Sequence, residues 1–233
     1  MNVGIIVAMD SELQLLLPLI EECEQLTIDG LVFYQGYMTG RQVVAMKCGI
    51  GKVNATVGTV TLIDYFRPDY IISTGMAGGA DLDVNVMDIV VGSSVAYHDV
   101  WCGPGLPWGL VQGMPQTYQA NEKLLSCVPK RADVKRGLIC TGDCFIDSKE
   151  RVADIKRIYP DALAVDMESA AIAQTCLLRE TSFMSLRIIS DSPGASDNNS
   201  QQYTDFWKEA PEHTFDTLCD LLKNLEDDSD VDE

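Results

Sequence analysis

Histidine and basic residues are the scarce side chains in this chain. Its 233 residues hold two histidines and 17 Lys plus Arg, against 35 Asp plus Glu, for a formal charge of −18. So few cations exclude a phosphate-tracking surface, because nucleic-acid binding depends on neutralising the backbone with Lys and Arg. They equally exclude a polybasic membrane contact. No CxxC pair occurs, and His98 and His213 lie far apart in sequence, which argues against a structural zinc site. The N-terminal apolar run has no basic residues before it and stops at Met9, too short for a signal peptide or a membrane span. GIGKVN lacks the spacing and hydroxyl of a P-loop, and Gly49-Ile50-Gly51 is followed by Asn54 where a dinucleotide fingerprint needs glycine or alanine. There is no Gly-x-Ser-x-Gly nucleophile elbow.

What is present is a globular composition. Apolar residues make up 46% of the chain, too many for a mostly disordered protein and enough to bury a substantial core. Most of the eight cysteines sit inside apolar runs such as LLSCVP, GLICTG and AQTCLL. They read as small buried hydrophobes in a reducing compartment, which makes a cytoplasmic location the expectation. Glu226 to Glu233 contain six acids and no base; without them the body still carries −12. The expected organisation is one domain over residues 1–225 and a solvated, disordered acidic tail over 226–233.

Strand-like and helix-like segments alternate from the start. Continuous apolar runs at 3–9 and 70–75, with further strands at 88–100, 136–143, 163–167 and 183–191, have the character of buried strands. Residues 31–49 read as a hairpin turning at Thr39-Gly40. Helical spacing appears at 11–24, with Pro18 as a kink, and at 54–66, 148–158, 168–179 and 214–225. Segments 101–120 and 192–202 are expected to be loops. Such alternation predicts an α/β fold with helices on both faces of a largely parallel sheet.

Ligands of open α/β sheets bind beyond the carboxyl ends of the strands. Here those ends carry Asp10 and Glu12, Asp166 and Glu168, and Ser190-Asp191, together with glycine turns at 48–52 and 74–79 and the segment Gly142–Phe145. Each acid alone would also serve as a helix cap. Clustered carboxylates without His or Cys partners fit two chemistries. One is oxygen-ligand metal binding. The other is glycosidic cleavage, with one acid protonating the leaving group and another activating water. Repulsion between neighbouring acids lets one hold a proton near neutrality. Phe145 is either a core ring or a platform for a planar base.

Seven segments then align in order: GIIVAMDSE (4–12), KCGIGKVNA (47–55), STGMAGG (73–79), DIVVGSSVAYHD (88–99), RGLICTGDCFI (136–146), AVDMESAAIA (164–173) and RIISD (187–191). Together they resemble the 5′-methylthioadenosine/S-adenosylhomocysteine nucleosidases of the purine nucleoside phosphorylase superfamily. The resemblance implies a three-layer αβα sandwich around a mixed, mostly parallel sheet, a homodimer, and hydrolysis to adenine without metal or cofactor, in methionine salvage. It assigns Asp191 as the general acid toward adenine N7 and Glu12 as the carboxylate that activates water. It places Glu168 and Met167 on the ribose, Phe145 against adenine and Ile146 at the purine edge. Ser190 orients Asp191, and Arg187 holds the water-side network. Met9, Ile50 and Phe206 line the 5′-thio pocket, Met76 stands near the nucleophile and ribose, Gly78 belongs to the substrate site, and parts of the 101–115 loop come from the partner subunit.

The chain departs from the family in three places. TGMAGG replaces TG[S/T]AGG, the interval from Asp191 to Phe206 is longer, and the 101–115 loop carries Trp101 and Trp108. A phosphorylase and a nucleosidase for another 5′-modified nucleoside of the futalosine type are the alternatives. Asp10 and Glu12 in the first loop would repel phosphate, which favours water as nucleophile.

Overall fold

A computed structural model of the chain describes residues 1–194, 199–209 and 215–226. The acidic tail expected after residue 225 falls, beyond Glu226, outside the described residues. So does the start of the helix expected at 214.

The chain begins with β1 (Asn2–Val7), then α1 (Asp10–Leu16), β2 (Glu21–Ile28), β3 (Leu31–Met38), β4 (Arg41–Lys47), α2 (Lys52–Phe66), β5 (Tyr70–Gly79) and β6 (Ile89–Tyr97). It continues with β7 (Tyr118–Gln119), α3 (Glu122–Cys127), β8 (Val134–Thr141), α4 (Lys149–Ile158), β9 (Ala162–Asp166), α5 (Ser169–Leu178), β10 (Ser182–Asp191), α6 (Asn199–Glu209) and α7 (Asp216–Asn224). One sheet runs in the order β10-β6-β8-β9-β5-β1-β4-β3-β2. Strands β4, β1, β5 and β10 run parallel, as do β6, β8 and β9. Antiparallel pairing is confined to the β2–β3–β4 edge, the short β7, and two seams, β10–β6 and β5–β9.

Side-chain alternation along the strands makes the sandwich. Val3, Ile5 and Val7 of β1 and Val43 and Ala45 of β4 join the core shared with Leu13 and Leu16 of α1, Leu124 of α3 and Leu218, Leu221 and Leu222 of α7. Their neighbours Ile6, Val44 and Met46 face the opposite way, onto Ala55 and Leu62 of α2 and Ala170–Ala173 of α5. A third core places Val152 and Ile155 of α4 on Leu138 and Cys140 of β8. Because successive strand residues point to opposite faces, a sheet apolar on both faces must be covered twice.

Several features differ from the sequence expectation, among them the short strand β7 inside the expected 101–120 loop and the unexpected helix α3. The helix expected over 11–24 stops at Leu16; Leu17–Leu19 form a single 3-10 turn around Pro18, and Glu21 begins β2. Proline supplies no N–H for a continuing helix. β2 is an edge strand with nearly every side chain exposed, so its sequence has no alternation to reveal it, and its glutamates discourage edge-to-edge pairing. The apparent glycine turn after residue 75 is strand: β5 continues to Gly79 because β10 and β9 pair with it. That β10–β5 pairing also closes β10, β6, β8, β9 and β5 into a ring. Finally, the loop expected over 192–202 turns into α6 at Asn199.

Candidate active site

The carboxyl ends of β1, β5, β9 and β10 and the turns after β4 and β8 converge on one open cavity. Glu12, Glu168 and Asp191 line it with Met9, Ile50, Met76, Gly78, Phe145, Ile146, Met167 and Ser190. Thus eleven of the thirteen residues singled out from sequence share one cavity. Arg187 and Phe206 do not line it.

Glu12 is 1% exposed. Its Oε2 accepts the N–H groups of Ala8 (2.8 Å) and Met9 (2.9 Å), and its Oε1 accepts the Met76 N–H at 2.9 Å. It stands at the third position of α1 and reaches back to the cap residue, so it is a helix cap and a cavity acid together. Burial pushes its pKa above the ordinary carboxylate value, opposed by Arg187 and these three N–H groups. Gly75 makes room for this arrangement. Its φ is +139°, and a methyl group there would lie 2.8 Å from Glu12 Cδ and 3.1 Å from Arg187 Nη1.

Glu168 does not cap α5; its Oε1 accepts the Gly51 N–H at 2.8 Å, joining segments 117 residues apart. Burial, then the neighbouring Asp166, push its pKa up to about 7. The capping falls to Asp166, which accepts the Ser169 N–H at 3.3 Å. Asp166 also accepts from Thr141 Oγ1 at 2.5 Å and from Ser169 Oγ.

Arg187 lies behind the cavity wall, 2% exposed. Its Nε donates to Asp166 Oδ2 at 2.9 Å, and its Nη2 donates to Ser73 Oγ (2.7 Å) and Ser169 Oγ (3.0 Å). One buried cation thus sits among Glu12, Asp166 and Glu168. It acts on the acids through its field and through Asp166 rather than by touching the cavity.

Asp191 is 2% exposed at the end of β10. Ser190 Oγ donates to its Oδ1 at 2.7 Å and Asn199 Nδ2 to its Oδ2 at 3.0 Å. Burial raises its pKa; the two hydrogen bonds pull the other way. Phe145 is 45% exposed in the cavity, with its ring edge-on to Tyr203 at 5.6 Å.

Phe206 is buried in the core that also holds Leu13 and Leu16 rather than in the cavity. The residue of α6 that lines it is Tyr203, whose hydroxyl lies 3.4 Å from Met9 Sδ. Phe206 is three residues further on, roughly 4.5 Å along the helix axis, past the cavity edge. The sequence expectation missed Asn199 because 192–202 reads as loop, and it gave Tyr203, one residue beyond, no element at all. Asp166 was visible at its strand end, and its motif position was the available signal. Among the described residues, no three His, Cys, Asp or Glu side chains are arranged to hold a metal ion. Among the described residues, no Lys or Arg lines the cavity.

Comparison with known proteins agrees with the motifs. The phosphorylase superfamily model matches residues 2–223. A 5′-methylthioadenosine/S-adenosylhomocysteine nucleosidase of Exiguobacterium sp. is 41% identical, covering 97% of this chain and 99% of its own. The chain belongs to this nucleosidase family, within the phosphorylase superfamily. The nucleosidase structure from Neisseria meningitidis, in complex with methylthio-immucillin-A, superposes with a TM-score of 0.90 at 35% identity over 96% of this chain and 99% of that one. The family member from S. pneumoniae, bound to the transition-state inhibitor MT-ImmA, gives 0.90 at 30% identity over 97% and 100%.

Proposed function

We propose that this nucleosidase-family chain hydrolyses the N-glycosidic bond of 5′-methylthioadenosine and S-adenosylhomocysteine, releasing adenine. The observation that carries the reading is a cavity lined by four buried carboxyl groups and an accessible aromatic ring, with no Lys or Arg in its lining among the described residues.

Cleavage of the C1′–N9 bond leaves electrons on the base and positive charge on the sugar. Asp191, whose burial favours the protonated form, supplies a proton to N7 and makes adenine a neutral leaving group. Glu12 takes a proton from water as its oxygen bonds to C1′. Its three N–H donors hold the carboxylate in one orientation, and the same negative charge favours the oxocarbenium-like sugar. Glu168 accepts from the sugar hydroxyls, with Met167 beside it, while Phe145 stacks on adenine and Ile146 meets its edge. Met9, Ile50 and Met76 offer apolar and thioether surface to the 5′-thio group. Phosphorolysis would need a cation for phosphate. The nearby Lys47 and Lys52 are instead paired, with Asp10 at 2.7 Å and with Asp99 at 2.7 Å.

A homodimer and a cytoplasmic location belong to the same reading. Val53, Val57 and Tyr65 of α2 and Leu177 and Leu178 of α5 are exposed on two helices that pack together, an apolar face suited to a second copy. Trp101 and Trp108 stack at 5.7 Å on the loop expected to reach the partner's 5′ pocket. All eight cysteines are free thiols, which supports a reducing compartment.

The test is a turnover assay with methylthioadenosine, adenosylhomocysteine, inosine and a futalosine-type nucleoside, each with and without phosphate. Release of adenine from the first two, independent of phosphate, is expected. Absolute phosphate dependence, or no base released from any of them, overturns the reading.

A further inference from the structure

Asn199, the first residue of α6, is 2% exposed and lies outside the cavity lining, yet it touches both halves of the proposed base site. Its Nδ2 donates to Asp191 Oδ2 at 3.0 Å and to the backbone carbonyl of Ile146 at 3.2 Å. Both amide hydrogens are therefore used, on segments 45 residues apart in sequence. The Ile146 contact settles which way the amide faces. A carbonyl oxygen always accepts, so the flipped side chain would set two acceptors against each other. The NH₂ group consequently faces Asp191 whatever the protonation state of that acid. Ser190, on the other oxygen, is different. A hydroxyl either donates to Asp191 Oδ1 or accepts from it, and Ser190 Oγ also has the Ala77 carbonyl at 3.3 Å.

We propose that Asn199 is the positioning residue of the proton donor: one amide locks the Asp191 carboxyl to the Ile146 carbonyl and keeps Oδ2 an acceptor, confining the transferable proton to the remaining lone pairs. The proposal rests on the reading of Asp191 as general acid. Among the described residues, Glu12, Cys144, Asp166, Glu168 and Tyr203 are the titratable groups that share the cavity with Asp191, and Ser190 and Asn199 are its hydrogen-bond partners. The amide donor favours the ionised carboxyl, against the effect of burial. Losing the donor makes Asp191 harder to ionise and leaves it less well aimed.

The experiment compares Asn199→Ala, Asn199→Ser and the isosteric Asn199→Asp with the wild-type chain on two substrates. One is methylthioadenosine, whose base must be protonated to leave. The other is a 4-nitrophenyl 5-methylthioriboside, whose leaving group departs as an anion. Asn199→Ala should lower kcat on methylthioadenosine by about 10- to 100-fold, the scale of misplaced acid catalysis. On the nitrophenyl substrate it should lose less than about 3-fold. Serine, which retains one donor, should recover part of the loss. The alkaline limb of the kcat/KM profile should move to higher pH in Asn199→Ala and further in Asn199→Asp. Should the alanine variant fail to fold, the aspartate variant carries both readouts. Equal losses on the two substrates, or an unmoved alkaline limb, overturn the proposal. A wild-type chain that cleaves the nitrophenyl riboside but not methylthioadenosine removes the acid reading of Asp191 itself, a failure distinct from that of Asn199.

Discussion

Replacing Glu168 by glutamine should make the protein more stable while disabling it. The carboxyl is 6% exposed, beside Asp166, and its pKa rises from 4.5 to about 7. Its folded form therefore resists ionisation. A raised folded pKa contributes stability that is complete below the unfolded value and lost as pH rises through the folded one. At 1.36 kcal/mol per pH unit, ionised Glu168 weakens the fold by about 3 kcal/mol above pH 7. Glutamine keeps an oxygen for the Gly51 N–H and carries no charge. In a chain of this size about 3 kcal/mol corresponds to roughly 6–12 °C in Tm. The assay is thermal unfolding of wild type and Glu168→Gln at pH 5, 6, 7 and 8. The variant's advantage should be small at pH 5, grow through pH 6 and 7, and level off at pH 8. Activity should fall, because an amide is a poorer acceptor than a carboxylate for sugar hydroxyls. No advantage at pH 8, or one that is largest at pH 5, would refute the assignment of burial as the dominant influence on Glu168.

Asp191→Asn should cut kcat on methylthioadenosine by about 10²- to 10⁴-fold, the usual worth of a placed acid, and steady-state kinetics will show whether KM stays close to wild type. Gly75→Ala should cost about 1–3 kcal/mol, because it combines an unfavourable backbone with a methyl group against Glu12; urea unfolding measures the loss, and an unchanged midpoint contradicts it. Phe145→Ala should leave the fold intact, since the ring is 45% exposed, and raise KM by about one to two powers of ten if stacking on adenine is worth about 1–3 kcal/mol. Arg187→Met should destabilise by about 3–5 kcal/mol, since it strands a buried Asp166 without its cation; a Tm within error of wild type would count against the buried pair.

The architecture was legible wherever local pattern and tertiary role coincide. The apolar runs of β1, β5 and β10 are buried on both faces, so their sequences had little freedom to be anything but strand-like. The candidate acids were legible because they stand beside those strands in short motifs: Glu12 after β1, Glu168 after β9, Asp191 closing β10. β2 and α6 were not. β2 is held by its partner β3 rather than by any alternation of its own. α6 carries its meaning on side chains that point at the site: Asn199 on Asp191, Gln202 on the Ser192 N–H, Tyr203 at Met9. Their spacing fits one helix face, but polar residues at that spacing raise no hydrophobic signal. Hence the resemblance placed Phe206 in the pocket, and Tyr203 was not singled out.

The sequence by itself determined the fold class, the family and three candidate acids, because covalent order and hydrophobic period are properties of the chain. Only the tertiary structure decided what those acids are chemically. Desolvation and partner geometry depend on groups brought together from 64 and 117 residues away, Met76 on Glu12 and Gly51 on Glu168. The same carboxyl group is an ordinary surface charge or a proton store according to how many N–H groups reach it and how little water does.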